Sequence, residues 1–324
     1  MKKAFKVIGI ILLILVVVIS GVAAYVKFAL PNVGAPPELT IERTNERIQR
    51  GKYLANAVMA CTDCHSERDW TKYAGPIYKD SVGSGSTLYG KQIGLPGEFH
   101  SKNITPYHLA NWTDGEIFRA ITTGVNKDGK AMFPIMPYRN FGRLDKEDIY
   151  SVIAWLRTLS PVKKDIAASD ADFPMSFIIN TIPAKASFST KPAGTNTVAY
   201  GKYLMTAAAC DGCHSPRKDG KLVEGKEFAG GEAFHMNGMT VTSANLTPHE
   251  TGLKSWTKPM FISRFKMYAD SNYKAPDVTP KDFNTPMPWY NFAQMSEQDL
   301  GALYDYLRTL PAVDNKITKF ARDR

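Results

Sequence analysis

The chain has 324 residues, of which 44% are hydrophobic and 11% aromatic, and it carries a formal net charge of +9 at pH 7. This composition excludes an intrinsically disordered protein, and the length allows two domains of ordinary size plus an appendage. The basic residues are scattered rather than gathered into a stripe, so no nucleic acid is expected as a partner.

Residues 1–26 form the first predicted element. They contain three lysines within the first six positions, followed by an uncharged, mostly apolar run from Val7 to Val26. A helix of this length crosses the hydrocarbon core of a bilayer, which predicts a single transmembrane anchor. The alternative is a signal sequence cleaved near the small residues Val22 to Ala24. In both cases the lysines stay in the cytoplasm and the rest is exported. Residues 27–40, rich in Pro and Gly, form a linker.

A duplicated unit follows the linker. The stretch GKYLANAVMACTDCH from Gly51 reappears as GKYLMTAAACDGCH from Gly201, with one residue fewer before the cysteines. Further on, NITP matches NLTP, IMPYRNF matches PMPWYNF, and YSVIAWLRTLSPV matches GALYDYLRTLPAV, all in the same order. This repeat predicts one domain at 41–163 and a second at 191–313, with a connector at 164–190 and a tail at 314–324.

Each unit is predicted to open and close with a helix. The closing helices begin near Asp145 and Ser296 and carry apolar residues at helical spacing, at Ile149, Val152, Ile153, Leu156 and Leu159, and at Leu300, Leu303, Leu307 and Leu310. Gly, Pro and polar residues predominate between the terminal helices, and no sustained period-2 alternation marks a strand. The predicted fold class is all-α, with two tandem domains behind one N-terminal transmembrane helix.

All four cysteines lie in two short motifs, CTDCH at 61–65 and CDGCH at 210–214. A zinc site would place the two cysteine pairs much closer in the chain, and a thioredoxin-like dithiol has no use for the histidine. Covalent haem attachment needs all three residues, because two thiols add to the vinyl groups and the histidine binds the iron. The sequence therefore predicts two covalently bound haem c groups, held by Cys61, Cys64, His65, Cys210, Cys213 and His214.

The second iron ligand is predicted from the remaining repeated positions. Met136 and Met287 occupy equivalent places before the closing helices, and each is followed by proline. A single Met is ordinarily core filler, but the match across the repeat predicts that these two are axial ligands, beside His65 and His214. The competing histidines have no histidine counterpart in the other unit: His100, His108, His235 and His249. Six aromatic residues are predicted to line the haem pockets or to be ordinary core: Tyr53, Tyr203, Trp112, Trp256, Tyr138 and Trp289.

These motifs together resemble a known family. CxxCH, then NITP or NLTP, then MPY or MPW, then a closing helix with LRTL is similar to the dihaem class I c-type cytochromes, and in particular to the cytochrome c subunits of membrane-bound periplasmic alcohol, aldehyde and gluconate dehydrogenases. The resemblance covers roughly residues 41–313. It implies that the NITP and NLTP segments shape each haem pocket on the side of the sixth ligand. Those subunits often carry three haems, whereas this chain has two CxxCH motifs.

The sequence predicts an electron-transfer protein and not an enzyme, because His and Met ligands leave no open position on iron. Its expected partners are the membrane and a redox donor and acceptor, with a dehydrogenase catalytic subunit as one donor and the respiratory chain as acceptor. The expected location is the cytoplasmic membrane, with the haem domains facing the periplasm or the cell exterior. The alternative is a dihaem cytochrome c peroxidase-like enzyme with one open haem site, which predicts asymmetry at the sixth-ligand position.

Overall fold

The computed structural model describes residues 2–85, 88–218, 220–236 and 238–322. Helices provide most of its regular structure, and a π-helical turn at Leu54–Val58 extends the second of them. The α-helices are α1 Lys2–Phe28, α2 Asn45–Tyr53, α3 Cys61–Cys64, α4 Pro106–Leu109, α5 Asp114–Thr123, α6 Tyr138–Phe141, α7 Lys146–Leu156, α8 Met175–Ile178, α9 Thr197–Ala207, α10 Cys210–His214, α11 Lys258–Lys266, α12 Trp289–Phe292 and α13 Glu297–Leu307.

The structure also contains short antiparallel strands, so the all-α prediction is only roughly correct. They form the sheets β1-β2-β3, β4-β5 and β6-β7-β8. With two to four residues each, they are too short to show alternation in the sequence. The strands are β1 Leu88–Tyr89, β2 Gly97–His100, β3 Asp170–Ala171, β4 Arg217–Lys218, β5 Lys221–Leu222, β6 Ala233–Met236, β7 Met239–Thr242 and β8 Phe320–Arg322.

The segments assigned to the connector and the tail take equivalent roles in the two units. β3, from the connector, pairs with β2, and β8, from the tail, pairs with β7. Each segment therefore folds back and adds an edge strand to the unit that precedes it.

The N-terminal helix α1 stands apart from the rest of the fold. It is long and apolar enough to cross a membrane, and no residue of its most apolar stretch is buried. The connector helix α8 lies beside it.

The first and last helices of each unit pack against each other, α2 on α7 and α9 on α13. A glycine lies at each crossing: a Cβ on Gly51 would lie 1.8 Å from the carbonyl oxygen of Ser151, and one on Gly201 2.0 Å from that of Ala302. Backbones can approach this closely only where one residue has no side chain. The GKYL motif thus places a glycine where the helices cross.

The apolar positions predicted for the closing helices form the core. Ile149 and Ile153 of α7 and Leu300 of α13 are fully buried, and Leu54 and Leu204 pack opposite them from the opening helices. These side chains belong to a single cluster that continues from one unit into the other. Because the cluster is continuous, the two units share one core. Each such side chain contributes roughly 1.5–3 kcal/mol on burial.

The extra residue in the first unit is absorbed by the π-helical turn. Met59 donates its backbone N–H to the carbonyl of Leu54, five residues earlier, at 2.7 Å. A π turn accommodates one inserted residue without breaking a helix. It explains why Cys61 lies ten positions after Gly51 whereas Cys210 lies nine positions after Gly201.

Two tyrosines of the GKYL motifs join the units reciprocally. The Tyr53 hydroxyl donates to Asp299 at 2.5 Å and accepts the N-cap amide of α13 at 3.0 Å. The Tyr203 hydroxyl donates to Asp148 at 2.7 Å and accepts the N-cap amide of α7 at 3.1 Å. Each hydroxyl binds the other unit, so the two units are related by an approximate two-fold axis. The polar ends of these aromatic residues, predicted to line haem pockets or the core, belong to the interface.

The helix crossing can be tested by adding one methyl group. We expect Gly51→Ala to lower the free energy of unfolding by roughly 2–3 kcal/mol, because the new Cβ overlaps a backbone oxygen that cannot move aside. The matched control is Gly301→Ala in α13, whose Cβ would meet nothing closer than 3.6 Å. Denaturant unfolding measures both, and equal stabilities would contradict the packing described here.

Candidate haem-binding sites

The cysteines are carried by two short helices that follow the opening helix of each unit. The residue before each helix, Ala60 or Ala209, is left-handed, with φ of 48° and 51°. This conformation costs about 1–2 kcal/mol for a residue with a side chain. Its recurrence turns the chain sharply at the same point in both units and places the two cysteines of each motif within one helical turn.

Three of the four thiols, those of Cys61, Cys64 and Cys210, lie where a neutral sulfur is favoured. None forms a disulfide. Burial raises the pKa of Cys61 to about 12 and also raises the pKa of Cys64 and Cys210. No group of three or more His, Cys, Asp or Glu side chains that could hold a metal ion occurs in the described part of the chain. A neutral thioether, which brings no charge into this environment, fits the three sites.

Both motif histidines are oriented by the same hydrogen bond. His65 Nδ1 donates to the carbonyl of Lys102 at 2.6 Å, and His214 Nδ1 donates to that of Ala244 at 2.8 Å. A carbonyl only accepts, so the proton lies on Nδ1 and Nε2 is left with a lone pair for a metal. Burial also lowers the pKa of both rings, which keeps them neutral. The neutral imidazoles, each with a free Nε2 lone pair, therefore fit the role of ligands to a haem iron.

Two glycines that the sequence analysis did not single out allow the loop that carries the histidine-binding carbonyl to lie close to the motif. Gly85 and Gly230 each donate a backbone N–H to the motif histidine's own carbonyl, at 2.9 and 2.8 Å. Both have positive φ, of 77° and 70°. A Cβ would lie 2.6 Å from the Ser101 oxygen in the first unit and 2.5 Å from the Ala244 carbonyl carbon in the second. The signal in the sequence was a single glycine at the corresponding place in each unit, Gly85 in GSG and Gly230 in GG.

The NITP segment anchors the same loop in the first unit. The buried Asn103 accepts hydrogen bonds from the backbone and hydroxyl of Thr105 at 2.9 and 2.7 Å. Its amide donates to the carbonyls of Val162 and Lys164, after the closing helix, at 2.8 and 3.1 Å. The carbonyl that binds the histidine immediately precedes this asparagine.

The NLTP segment repeats this arrangement in the second unit. Asn245 accepts from the backbone and hydroxyl of Thr247 at 2.9 and 2.8 Å and donates to Val313 at 2.8 Å. These contacts correct the expectation drawn from the family resemblance. Both segments lie at the histidine of the motif rather than on the side of the sixth ligand, because the residue before each asparagine binds the ring.

The two methionines adopt the same local backbone. Each is half-buried and packs against the core, and its carbonyl accepts the N–H two residues later at 2.8 Å, from Tyr138 after Met136 and from Trp289 after Met287. The intervening prolines have φ of −79° in both units. The same turn therefore leads from each methionine into a short helix, α6 or α12.

Three of the competing histidines have local partners. His108 lies 6.0 Å from the ring of Trp112, and His235 and His249 contact threonine hydroxyls at 3.0 Å. His100 lies in β2. In the sequence, none of the four has a histidine counterpart in the other unit.

Comparison with known proteins identifies relatives over most of the chain. The family model for cytochrome c matches residues 48–160 and again 198–311. The cytochrome c subunit of alcohol dehydrogenase (quinone) from Gluconobacter oxydans (strain 621H) is 28% identical over 283 residues, which cover 82% of this chain and 55% of that protein. The chain thus spans about half the length of this relative.

Two further relatives extend the comparison. The gluconate 2-dehydrogenase cytochrome c subunit of Pantoea cypripedii is 25% identical over 295 residues, covering 85% of this chain and 62% of the relative. A diheme cytochrome c-type protein of Cereibacter sphaeroides is 24% identical over 292 residues, covering 87% of this chain and 92% of its own. The last of these matches the chain over nearly its full length.

The anchoring asparagines can be tested one unit at a time. We expect Asn245→Ala to lower the free energy of unfolding by about 2 kcal/mol, because it leaves buried groups unpaired. It should also raise the reduction potential of the second unit's haem, since a loosened Nδ1 hydrogen bond makes the histidine a weaker electron donor. A spectroelectrochemical titration measures the potentials. Asn103→Ala is the matched variant and should move the other haem instead; movement of the same haem by both would contradict the assignment.

Proposed function

The chain belongs to the cytochrome c family, and we propose that it is a membrane-tethered carrier that passes single electrons between a dehydrogenase or other donor and a respiratory acceptor. Two cytochrome c domains and a diheme relative indicate two covalently bound haem c groups. When bound, each haem iron supplies a one-electron couple. The protein's part is to hold, shield and tune it.

We assign one haem to each CxxCH motif. Cys61 and Cys64 attach the first, with His65 and Met136 as iron ligands. Corresponding residues hold the second: Cys210, Cys213, His214 and Met287. The observation that carries this assignment is the Nδ1 hydrogen bond of both histidines, because it leaves Nε2 unprotonated in each unit.

The two-fold repetition of the ligand environment favours a carrier over a peroxidase-like enzyme. A peroxidase needs one haem with an open distal position, so its two sites differ. Here the methionine turns have the same backbone hydrogen bond and the same proline φ. With His and Met on both irons no substrate binds the metal, and catalysis belongs to a partner.

The named relatives support the class of partner. Those from Gluconobacter and Pantoea are cytochrome c subunits of an alcohol dehydrogenase and a gluconate dehydrogenase. We therefore propose a dehydrogenase catalytic subunit as electron donor. The exposed apolar helix α1 supports tethering to the cytoplasmic membrane with the haem units on the periplasmic side, since three lysines lie in its first turns.

The ligand assignment is tested by removing one thioether at a time. We expect the wild-type protein to contain two haems per chain by pyridine haemochrome, both low-spin, with the weak far-red band of a thioether bound to ferric iron. Met136→Ala or Met287→Ala should each halve that band and create one carbon monoxide site per chain, because the sixth position opens.

Met260→Ala is the control for these variants, since Met260 is half exposed on α11, and it should leave the spectrum unchanged. Carbon monoxide or peroxide binding by the wild-type protein would instead support the peroxidase-like alternative.

The anchor has its own test. We expect the full-length protein to remain with washed membranes and to require detergent. Replacing residues 1–26 with a cleavable export signal should release a soluble protein with both haems, because the most apolar stretch of α1 buries nothing against the fold. Mass spectrometry of the purified wild-type chain determines its N-terminus, and a chain that starts after Ala24 would show that the segment is a signal sequence.

A further inference from the structure

One asparagine of the first unit binds the haem motif of the second. Asn140 lies in α6, four residues after Met136. Its side-chain amide donates to the carboxylate of Asp211 at 2.8 Å and to the carbonyl of Thr206 at 3.3 Å. Asp211 is the first residue between the two cysteines of CDGCH. An amide that donates to a carboxylate forms a charge-assisted bond, stronger than a neutral one.

The equivalent asparagine of the second unit returns the contact. Asn291, buried in α12 four residues after Met287, donates to the carbonyl of Asn56 at 2.8 Å and to the hydroxyl of Thr62 at 3.1 Å. Thr62 is the first residue between the cysteines of CTDCH, the position that Asp211 occupies in the other motif. Each attachment helix is therefore held by the segment that follows the methionine of the opposite unit.

Further hydrogen bonds join the two units near the first haem motif. The loop after CTDCH binds the segment before Met287: the Tyr73 N–H donates to the Pro276 carbonyl at 2.9 Å, and the Ala74 N–H to Asn284 Oδ1 at 2.7 Å. With the reciprocal tyrosines at the closing helices, polar contacts cross the interface near both haem motifs. The two attachment helices cannot shift without disturbing the opposite unit.

We propose that Asn140 and Asn291 are positioning residues for the haem of the opposite unit, so that the reduction potential of each haem depends on a side chain supplied by the other domain. The inference rests on the proposed assignment of one haem to each CxxCH motif. Asn140 places an N–H dipole against the Asp211 carboxylate and partly compensates its negative charge beside the second haem. Asn291 has no charged partner and acts by holding Thr62 and the end of the opening helix.

Asn140→Ala tests the effect across the interface. Without the amide, the Asp211 charge is less compensated, and a nearby negative charge stabilises ferric iron. We expect the second unit's haem to shift to a lower potential and the first unit's haem, the one attached to the mutated domain, to stay in place. The measurement is a spectroelectrochemical titration of the detergent-purified full chain with both haems. Met136→His and Met287→His, each of which lowers the potential of one haem, assign the two waves.

A reversed pair distinguishes this role from simple loss of packing. Asn140→Asp should lower the second potential further, because two carboxylates then face each other. The double variant Asn140→Asp with Asp211→Asn restores one amide and one carboxylate, and the potential should return toward the wild-type value. Arg139→Lys is the neighbouring control: Arg139 donates to the Ile182 carbonyl in the connector, and this variant keeps the positive charge, so the second potential should stay at its wild-type value.

The outcomes separate this inference from the proposed function. A second potential that is unmoved by Asn140→Ala, or a shift confined to the first haem, would overturn the positioning role while leaving a dihaem carrier intact. If the Met variants fail to open one carbon monoxide site each, the ligand assignment fails instead. A double variant that shifts as far as Asn140→Asp alone would also overturn the inference, since the amide–carboxylate pair would then be irrelevant.

Discussion

The hydrogen bond from each motif histidine to a main-chain carbonyl is the interaction on which the rest of each unit depends. It needs a carbonyl within 2.6–2.8 Å of a partly buried ring, and several separate features of the chain place that carbonyl. Gly85 and Gly230 let the loop approach, and Asn103 and Asn245 tie that loop to the residues that follow the closing helix. The closing helix packs in turn on the opening helix that leads to the motif. The ring's orientation is thus determined by the closure of the entire unit.

The part of the fold that could be predicted from the sequence is the part encoded locally or by repetition. CxxCH uses neighbouring residues, and the closing helices follow from a 3.6-residue period, so both could be read from one stretch of chain. The edge strand Asp170–Ala171 could not, because two residues acquire strand geometry only by pairing with a segment some seventy residues away. The NITP segment was recognised as a landmark but assigned to the wrong side, because the sequence does not show that the carbonyl just before Asn103 binds the motif histidine.

The interface between the units was beyond the sequence analysis for the same reason. Tyr53 and Tyr203 stood out as aromatic residues near a haem motif, and their hydroxyl partners are Asp299 and Asp148, in the first turns of the closing helices. Asp148 and Asp299 are almost fully buried, and burying a carboxylate without partners costs several kcal/mol. A sequence shows that a residue is acidic, but not which distant groups compensate it. Asp148, for example, forms an ion pair with Arg50 of its own unit besides accepting from Tyr203. The repeat in the sequence shows which residues of the two units are equivalent, but not which residues they contact.

The reciprocal polar contacts also determine how the units are placed relative to each other. A purely apolar interface would tolerate sliding, because burial has no direction. Here each Tyr–Asp pair and each asparagine contact is satisfied in a single arrangement, and any displacement would leave four or more buried polar groups unpaired. At about 1–3 kcal/mol for each unpaired group, such displacement is costly compared with the total stability of a domain. The same contacts reach the residue between the cysteines in both motifs. The placement of one haem motif is therefore fixed relative to the other by the protein itself, and the two domains form one unit rather than two carriers joined by a linker.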